Sequence, residues 1–397
     1  MATRAIARTR ALLCGLGLAC TPLVAARAAS PSGHVPDDLS DPPAATTCPS
    51  GHVHDDLPNR PAATTCPSGQ PSPLSPAERA AFLATPEDPP PEALGGVTPE
   101  RHGRHYLTGN EHALHAFHAR VRGLGGGYLG VGAEQGYLLL GWSRAELAWL
   151  IDYDPAVVEI HAIHQALIAA AASPDDYLAL WQPTGRRAAI AALHAAQPGP
   201  TGAPLIELYR SSRARVARRL EELRQEMLAA GVPSFLADAD DYAHVRALVL
   251  AGRVRALCAD LTRDGAVAHI GAAARELRVP LRVLYLSNAE EYWERLPQPF
   301  RDNLRALPVD DRSLVLRTLL TWETNRDYRY NAQPARNYRR WLAVPDLRSI
   351  YDVIRRDEIV VDERGFFETR ELPDPAALRR RELRRLAREA AGLPANG

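Results

Sequence analysis

The chain contains no lysine, so all 47 of its basic residues are arginine. Without a lysine amine, Schiff-base chemistry, the P-loop lysine and the Ser-x-x-Lys nucleophile pair are excluded. The G-x-S-x-G motif of many hydrolases is also absent. Cys258 lies within an apolar run, where a cysteine is usually an inert small hydrophobe. Covalent catalysis by a nucleophilic side chain therefore has little support.

The chain also lacks net charge, because 47 acidic residues balance the 47 arginines. A neutral chain has no global electrostatic attraction to nucleic acid or to an anionic membrane. We therefore expect a small-molecule ligand and no nucleic-acid partner, and the composition does not determine the oligomeric state. With 397 residues and 46% hydrophobic content, one large folded domain with an appended leader is the simplest organisation.

The first 28 residues have the pattern of a secretory signal peptide. Three arginines precede an apolar run from Ala11 to Ala26, and small residues end at Ala28. The run is too short to span a bilayer permanently, so we predict no transmembrane segment in the mature chain. A lipoprotein site at Cys20 and a misassigned start codon are the alternatives. The prediction is export to the periplasm or beyond if the signal acts, and a cytoplasmic location otherwise.

Residues 29–99 are predicted to be a disordered, Pro-rich linker. Within it, Ser-Pro-Ser-Gly-His-Val-Pro-Asp-Asp-Leu at 30–39 recurs 18 residues later as Cys-Pro-Ser-Gly-His-Val-His-Asp-Asp-Leu at 48–57, and Cys66 opens a truncated third copy. Such repeats contain too few large apolar side chains to offset chain entropy. The alternatives are a metal site at Cys48, His52, His54 and Asp55, and a Cys48–Cys66 disulfide. A short helix is predicted from Pro76 to Ala84.

A glycine turn between two apolar strands is the main signature of the domain predicted over 100–372. The strand Tyr128–Val131 ends in Gly132, and an apolar helix over Tyr137–Trp142 follows. Leu147–Asp152 reads as the second strand. Glycine lets the backbone approach a ligand, and the helix amino terminus presents free N–H groups to it. Twenty residues separate Gly132 from Asp152, the spacing typical of an acidic residue that binds ribose.

Strands and helices continue to alternate after a helical insertion at 173–230. We predict a strand over Pro233–Asp238, a helix over Tyr242–Ala251, a strand over Arg253–Leu261, a helix over Ala266–Leu277 and a strand over Leu281–Ser287. This alternation predicts an α/β fold with a doubly wound, mainly parallel sheet. Ligands of such sheets bind beyond the strand carboxyl ends, where the sequence has Asp152, Asp240, Asp260 and Asn288.

This succession resembles the class I, Rossmann-type S-adenosylmethionine-dependent methyltransferases over about residues 120–320. The resemblance implies that Gly130 and Gly132 pass beneath the methionine part of the cofactor. It further implies ribose binding by Asp152 or Asp154, an adenine contact by Asp240 or Asp241, and catalytic positions for Asp260 and Asn288. Glu134 and Gln135 complete the predicted cofactor-binding set. The chain departs from the family pattern at Tyr128, where an acidic residue is usual, and at Glu134, where a third glycine is usual.

Three blocks resemble a little-characterised bacterial family with this methyltransferase-like core. They are Tyr-Leu-Thr-Gly-Asn-Glu at 106–111, Gly-Val-Gly-Ala-Glu-Gln at 130–135, and Tyr-Leu-Ser-Asn at 285–288. The resemblance implies the fold and carries no substrate.

Several other features each have two interpretations. A set of histidines suggests a metal site, but three-residue spacing does not bring them to one helix face, and core histidines are the alternative: His112, His115, His118, His161 and His164. The Arg-rich insertion is either a lid over the sheet edge or a solvated helical face. Residues 328–341 either bind a ligand through aromatic and arginine side chains or pack the last strands. A hairpin is predicted over Ile359–Thr369, and a helix over Pro375–Ala391 in the basic tail 373–397.

Two functions follow from these patterns. The first is a methyltransferase of unknown substrate that binds S-adenosylmethionine and acts mainly through alignment of the acceptor. The alternative is an exported, non-enzymatic binding protein that reuses the fold. The two conflict because S-adenosylmethionine is a cytoplasmic metabolite, so an exported enzyme would lack its donor.

Overall fold

The structure, a computed structural model, describes residues 71–95, 102–319, 327–354, 360–363 and 365–391. The predicted signal peptide and the repeats up to residue 70 lie outside the described residues.

A seven-stranded sheet forms the centre of the described domain. Its strands are β1 (Gly127–Val131), β2 (Leu147–Asp152), β3 (Val254–Cys258), β4 (Leu281–Ser287), β5 (Leu314–Leu319), β6 (Arg329–Pro334) and β7 (Phe366–Glu368). They lie in the order β3-β2-β1-β4-β5-β6-β7. The first five are parallel, β6 is antiparallel to β5, and β7 is parallel to β6. The predicted α/β fold with a mainly parallel sheet is confirmed.

Thirteen α-helices are described around this sheet. They are α1 (Pro76–Leu83), α2 (His118–Val121), α3 (Gln135–Ser143), α4 (Pro155–Ala170), α5 (Pro174–Trp181), α6 (Arg186–Ala196), α7 (Ala203–Ala229), α8 (Ala239–Leu250), α9 (Ala266–Glu276), α10 (Gln298–Ala306), α11 (Ala335–Leu342), α12 (Ile350–Val353) and α13 (Pro375–Ala390). Side chains of α3 to α8 pack in one apolar core, and those of α1, α9, α10 and α11 pack in a second. Neighbouring strand residues such as Tyr128 and Leu129 point into different cores, because successive strand side chains alternate between faces. Helices therefore cover both faces of the sheet.

The predicted strand over Pro233–Asp238 is wrong. Phe235 and Leu236 are fully buried, but the segment is a turn in which the Ser234 carbonyl accepts N–H groups from residues 237 and 238. Asp238 then caps α8 by accepting the N–H groups of the next two acidic residues. A short apolar run does not distinguish a strand from a buried turn.

This correction moves the predicted catalytic Asp260 to another place in the fold. The strand before it is the third of the sheet, at its edge beside β2, and Asn288 follows β4 on the other side of β1. The ends of β3 and β4 are three strand spacings apart, which is about 14 Å. Asp260 and Asn288 do not share one catalytic position.

Part of the predicted linker packs against the domain. Helix α1 begins with a capping box at Ser75, and the Phe82 ring is fully buried with its centroid 5.0 Å from that of Trp149. Asp88, also buried, accepts the main-chain N–H groups of Asp260 at 2.9 Å and Ala266 at 3.0 Å. Residues 71–95 thus cover the β3 edge, because one aromatic anchor and one capping carboxylate hold an otherwise Pro-rich segment.

The predicted hairpin over Ile359–Thr369 is not formed by the described residues. Asp362 accepts the N–H groups of a tight turn that leads into β7, which pairs with β6 rather than with a preceding strand. Ile359 itself lies outside the described residues. The predicted final helix is confirmed as α13, which Asp374 caps. Among the described helices, none combines the length and the apolar character that crossing a membrane requires.

Candidate functional site

Gly132 and Asp152 lie side by side at the carboxyl edge of the sheet. Val131 pairs with Ile151 in the parallel register of β1 and β2, so the next residue of each strand begins the same edge. Gly132 has a φ of +95°, which favours glycine, and the chain turns there into α3. Its N–H group is one of the main-chain donors to the Asp152 carboxylate. The predicted convergence of these two residues is therefore present in the structure.

Asp152 has an unusual acidity. Burial, and to a smaller extent the nearby Asp154 carboxylate, raise the pKa of its carboxyl to about 7. The N–H groups of Asp154, at 3.0 Å from Oδ1, and of Gly132 and Tyr153 partly oppose this rise. A half-buried carboxylate that is poorly stabilised gains from a ligand that donates hydrogen bonds to it.

The turn at Gly132 is held by side chains from α3 and α4. His161 Nε2 lies 2.8 Å from the Gly132 carbonyl oxygen, and Nδ1 lies 3.2 Å from the Tyr137 hydroxyl. Burial lowers the pKa of His161 to about 4, so the ring is neutral and must carry its proton on Nε2 to donate to a carbonyl. A Cβ atom on Gly132 would lie 2.3 Å from Gln135 Nε2. The positive φ disfavours any other residue at Gly132, and the amide end of Gln135 occupies the space that a Cβ atom would take.

Four of the predicted cofactor-binding residues are buried and contact other parts of the protein. Gly130 is buried beneath Tyr128, whose hydroxyl would lie 2.1 Å from a Cβ atom at this position. Glu134 and Gln135 are buried, and Gln135 Oε1 accepts the Ala133 N–H. The fourth is Asp154, also buried, which caps α4 and accepts a hydrogen bond from His105 Nδ1 at 2.9 Å. None of the four presents appreciable surface to a ligand.

Glu134 instead joins two of the sequence blocks to the insertion. Its carboxylate accepts the Gly109 N–H at 3.1 Å and pairs with Arg219 Nε at 2.9 Å, with both side chains of the ion pair buried. Arg219 also donates to the main-chain carbonyl of Glu111 at 2.5 Å. Arg219 was not among the site residues predicted from the sequence. The available signal was its position beside Val216 and its neighbours on the apolar stripe of α7, where a solvated arginine would not lie.

The third block meets the first at Glu111. Glu111 Oε1 accepts hydrogen bonds from the hydroxyls of Tyr285 at 2.8 Å and Ser287 at 3.0 Å. Ser287 has a φ of +50°, a strained conformation for a serine, and residues held in this way cluster at functional sites. The half-buried Asn288 follows it directly. The three blocks therefore meet at the carboxyl edge of the sheet, and the hydrogen bonds between them stabilise it.

The predicted adenine contacts lie elsewhere. Asp241 pairs with Arg144 at 2.8 Å, and Arg144 caps the end of α3, whereas Gly132 precedes the start of that helix. The nine residues of α3 span about 14 Å, at 1.5 Å per residue. Asp240 neighbours Asp241 on α8, so the structure does not bring either residue to Asp152. Asp260 lies beyond the β3 end, where its carboxylate accepts the N–H and the hydroxyl of Thr262.

The histidines are core or pairing residues. His164 Nδ1 lies 2.6 Å from the Tyr177 hydroxyl, and burial places its pKa well below the ordinary value. His112 pairs with Glu226, which raises the His112 pKa. Within the described ranges, no three His, Cys, Asp or Glu side chains are arranged to hold a metal ion. Burial raises the pKa of Cys258 to about 11, which disfavours the reactive thiolate.

The aromatic stretch after residue 327 packs the last strands. Tyr330 donates to Asp327 and accepts the Ala113 N–H, and Tyr338 stacks on the fully buried Arg317 with 4.2 Å between the guanidinium carbon and the ring centroid. Its ligand-binding interpretation has no support from these contacts.

The comparisons with known proteins bear on the family of the chain. No curated protein matches it. A family model described as a domain of unknown function, DUF7790, matches residues 106–370, which is more than half of the chain and contains all three sequence blocks. The match therefore shows that the chain belongs to the DUF7790 family.

Proposed function

We propose that the chain binds S-adenosylmethionine at the carboxyl edge of β1 and β2 and transfers its methyl group to a small molecule. One observation carries the proposal. The side-chain-free turn at Gly132 and the half-buried carboxylate of Asp152 adjoin across two parallel strands, with the carboxyl pKa raised to about 7. Hydroxyl groups of a ribose would donate hydrogen bonds to this carboxylate and offset the cost of burying its charge.

The fit to the cofactor rests on few residues. Gly132 would let the ligand approach the main chain, and Asp152 would hold the ribose in its ionised form. When bound, S-adenosylmethionine would supply an electrophilic methyl group on its sulfonium, with the neutral thioether S-adenosylhomocysteine as the leaving group. Ser287 and Asn288, at the end of β4 beside β1, would align the acceptor, and alignment alone contributes strongly to such a transfer. Asp260 is given no part in this step, because the end of its strand, β3, is three strand spacings from that of β4.

A non-enzymatic binding protein is the second candidate. It is favoured by the number of polar groups near the edge that already pair within the chain, namely Glu134 with Arg219 and Asp154 with His105. Of the three carboxylates predicted to bind the cofactor that the described residues place at this edge, only Asp152 is not in an ion pair. A carboxylate of this kind is enough to bind a ligand without catalysing its reaction.

Calorimetric titration of the full chain with S-adenosylmethionine and S-adenosylhomocysteine tests the proposal. We expect binding of both ligands, weakened about tenfold or more by Asp152→Ala, since a hydrogen bond to a charged group contributes about 1.5–3 kcal/mol. Asp240→Ala is the matched control, because Asp240 is acidic and exposed but lies at the other end of α3. Absence of heat at millimolar ligand overturns the proposal. Binding without methyl transfer to any acceptor tested supports the second candidate.

The cellular location enters the same test. Methyl transfer requires the chain to meet its donor in the cytoplasm, so amino-terminal sequencing of protein from the native cell is the companion experiment. A terminus at Met1 or Ala2 is compatible with the enzyme, and a terminus after Ala28 favours the binding protein.

A further inference from the structure

A groove beside α10 and the end of α11 contains none of the residues predicted to bind S-adenosylmethionine. Its volume is about 470 Å³, within the range of about 300–1,000 Å³ that is typical of small-molecule sites. We call it the arginine groove, because three arginines line it together with an apolar wall: Arg295, Arg301 and Arg305, with Leu296, Leu342 and Pro345. It is a cavity separate from the edge that contains Gly132 and Asp152.

Arg301 brings into the groove a charge that no described carboxylate pairs with. The residue is 7% exposed. Its guanidinium donates four hydrogen bonds, all to the main-chain carbonyl groups of Leu342, Val344 and Leu347 at and after the end of α11. A guanidinium has five N–H groups, so one of them has no hydrogen-bond partner among the described residues. A buried cation with an unused donor is stabilised by an anion that can reach it.

The two exposed arginines of the groove are already paired. Arg295 lies 3.2 Å from a carboxylate oxygen of Glu382 on α13. Arg305 lies 3.7 Å from a carboxylate oxygen of Asp302, its neighbour on α10. Because each of these pairs is neutral, Arg301 leaves one positive charge in excess at the groove. The cavity therefore matches a ligand with a single negative charge better than a phosphate or another polyanion.

The amino end of α10 adds to the positive potential of the groove. Pro297 and Gln298 line the groove, and no side chain caps this helix of nine residues. The free N–H groups of a helix amino terminus carry partial positive charge and attract anions. Here they open into the same cavity as the Arg301 guanidinium and the aliphatic wall. An anionic group and an apolar chain can therefore be bound side by side.

We propose that the arginine groove binds a small organic monoanion, a carboxylate that carries an aliphatic chain. The carboxylate accepts hydrogen bonds from Arg301 and from the start of α10, and the chain packs against Leu296, Leu342 and Pro345, which remove it from water. This inference goes beyond the proposed function, since neither S-adenosylmethionine nor a methyl acceptor takes part in it.

The test compares hexanoate with hexanol, two probes that have the same chain length and differ in charge. Saturation-transfer NMR on the full chain, without S-adenosylmethionine, measures the affinity of each probe. We expect hexanoate to bind more tightly. Arg295→Ala and Arg305→Ala should each weaken its binding about threefold, because each removes an exposed cation and leaves a carboxylate unpaired near the groove. The double variant should weaken it about tenfold. Arg301 is left intact, because it also holds the end of α11.

A matched control separates recognition from a general loss of positive charge. Arg210 on α7 has the same 47% exposure as Arg305 and also pairs with an acidic residue three positions before it, so Arg210→Ala should leave the affinity unchanged. Equal binding of both probes, no binding of hexanoate at millimolar concentration, or unchanged affinity in the double variant overturns the site. Displacement of hexanoate by an equal concentration of inorganic phosphate, at mildly alkaline pH, overturns the preference for a single charge. Because no cofactor is present, these results are independent of whether S-adenosylmethionine binds.

Discussion

Asp152→Asn should stabilise the ligand-free protein at neutral and higher pH. In the wild type, burial holds the pKa of this carboxyl at about 7, well above its ordinary value of 3.8. Between these two values the folded state keeps a proton that the unfolded chain has lost, so stability is greatest below pH 4 and falls as pH rises through 7. Asparagine removes the titration and keeps an oxygen that can accept the Asp154 N–H.

The size of the effect follows from the same shift. A pKa that rises from about 4 to about 7 corresponds to at most about 4 kcal/mol of lost stability for the ionised form. Because Asp152 is half-buried and solvent screens its charge, we expect about 1–2 kcal/mol at pH 8 and almost nothing near pH 4. Urea unfolding at pH 5 and pH 8 measures the difference. Asp302→Asn, at an exposed aspartate of α10, is the control and should give the same small change at both values.

The substitution should also weaken the binding of an adenosyl ligand, because an amide oxygen accepts hydrogen bonds less strongly than a carboxylate. Higher stability with lower affinity is typical of a residue that is retained for function at a cost to the fold. A destabilised variant at pH 8, or an equal difference at pH 5 and pH 8, would refute the electrostatic argument for Asp152.

Three further predictions concern the supports of the site. Arg219→Ala should lower the free energy of unfolding in urea by about 3–5 kcal/mol, because it leaves the buried Glu134 carboxylate unpaired. Leucine at both 134 and 219 should recover much of this loss. A double variant as unstable as the single one would contradict this explanation. Phe82→Ala should cost about 3 kcal/mol and expose residues 71–95 to protease, and an unchanged digestion pattern would show that the segment is not anchored there. Because the pKa of His161 is lowered to about 4, the neutral ring stabilises the fold above pH 6.5, and this stabilisation is lost as pH falls towards 4, by about 2 kcal/mol at pH 5. His161→Gln should flatten this pH dependence of the free energy of unfolding. A variant with the wild-type slope would exclude His161 as its source.

Local patterns were sufficient for most elements of the sheet. The bounds of β2 and β4 agree with prediction, because each is a continuous apolar run between turn residues. The wrong strand at Pro233–Asp238 arose from the same rule, since Phe235 and Leu236 are apolar enough for a strand but are buried in the core, where the Phe235 ring contacts Tyr137 of α3 and Tyr177 of α5. Whether such a pair of apolar residues forms a strand or a buried turn depends on neighbours that are distant in sequence.

The edge of the sheet shows the same division. The twenty-residue spacing of one strand–helix–strand unit determined that Gly132 and Asp152 would meet, because such a unit returns the chain to the adjacent parallel strand at a known register. The sequence by itself therefore predicted the turn and one carboxylate of the site.

Only the tertiary structure decided which polar groups remain available at that edge. Glu134 pairs with an arginine 85 positions away, Asp241 pairs with Arg144 at the far end of α3, and Asp154 binds His105, 49 positions away. These outcomes depend on burial and pairing between distant segments, and a buried charge must find a partner wherever the chain brings one. No local periodicity encodes such long-range pairing, so the composition of the site emerged only when the sheet was assembled.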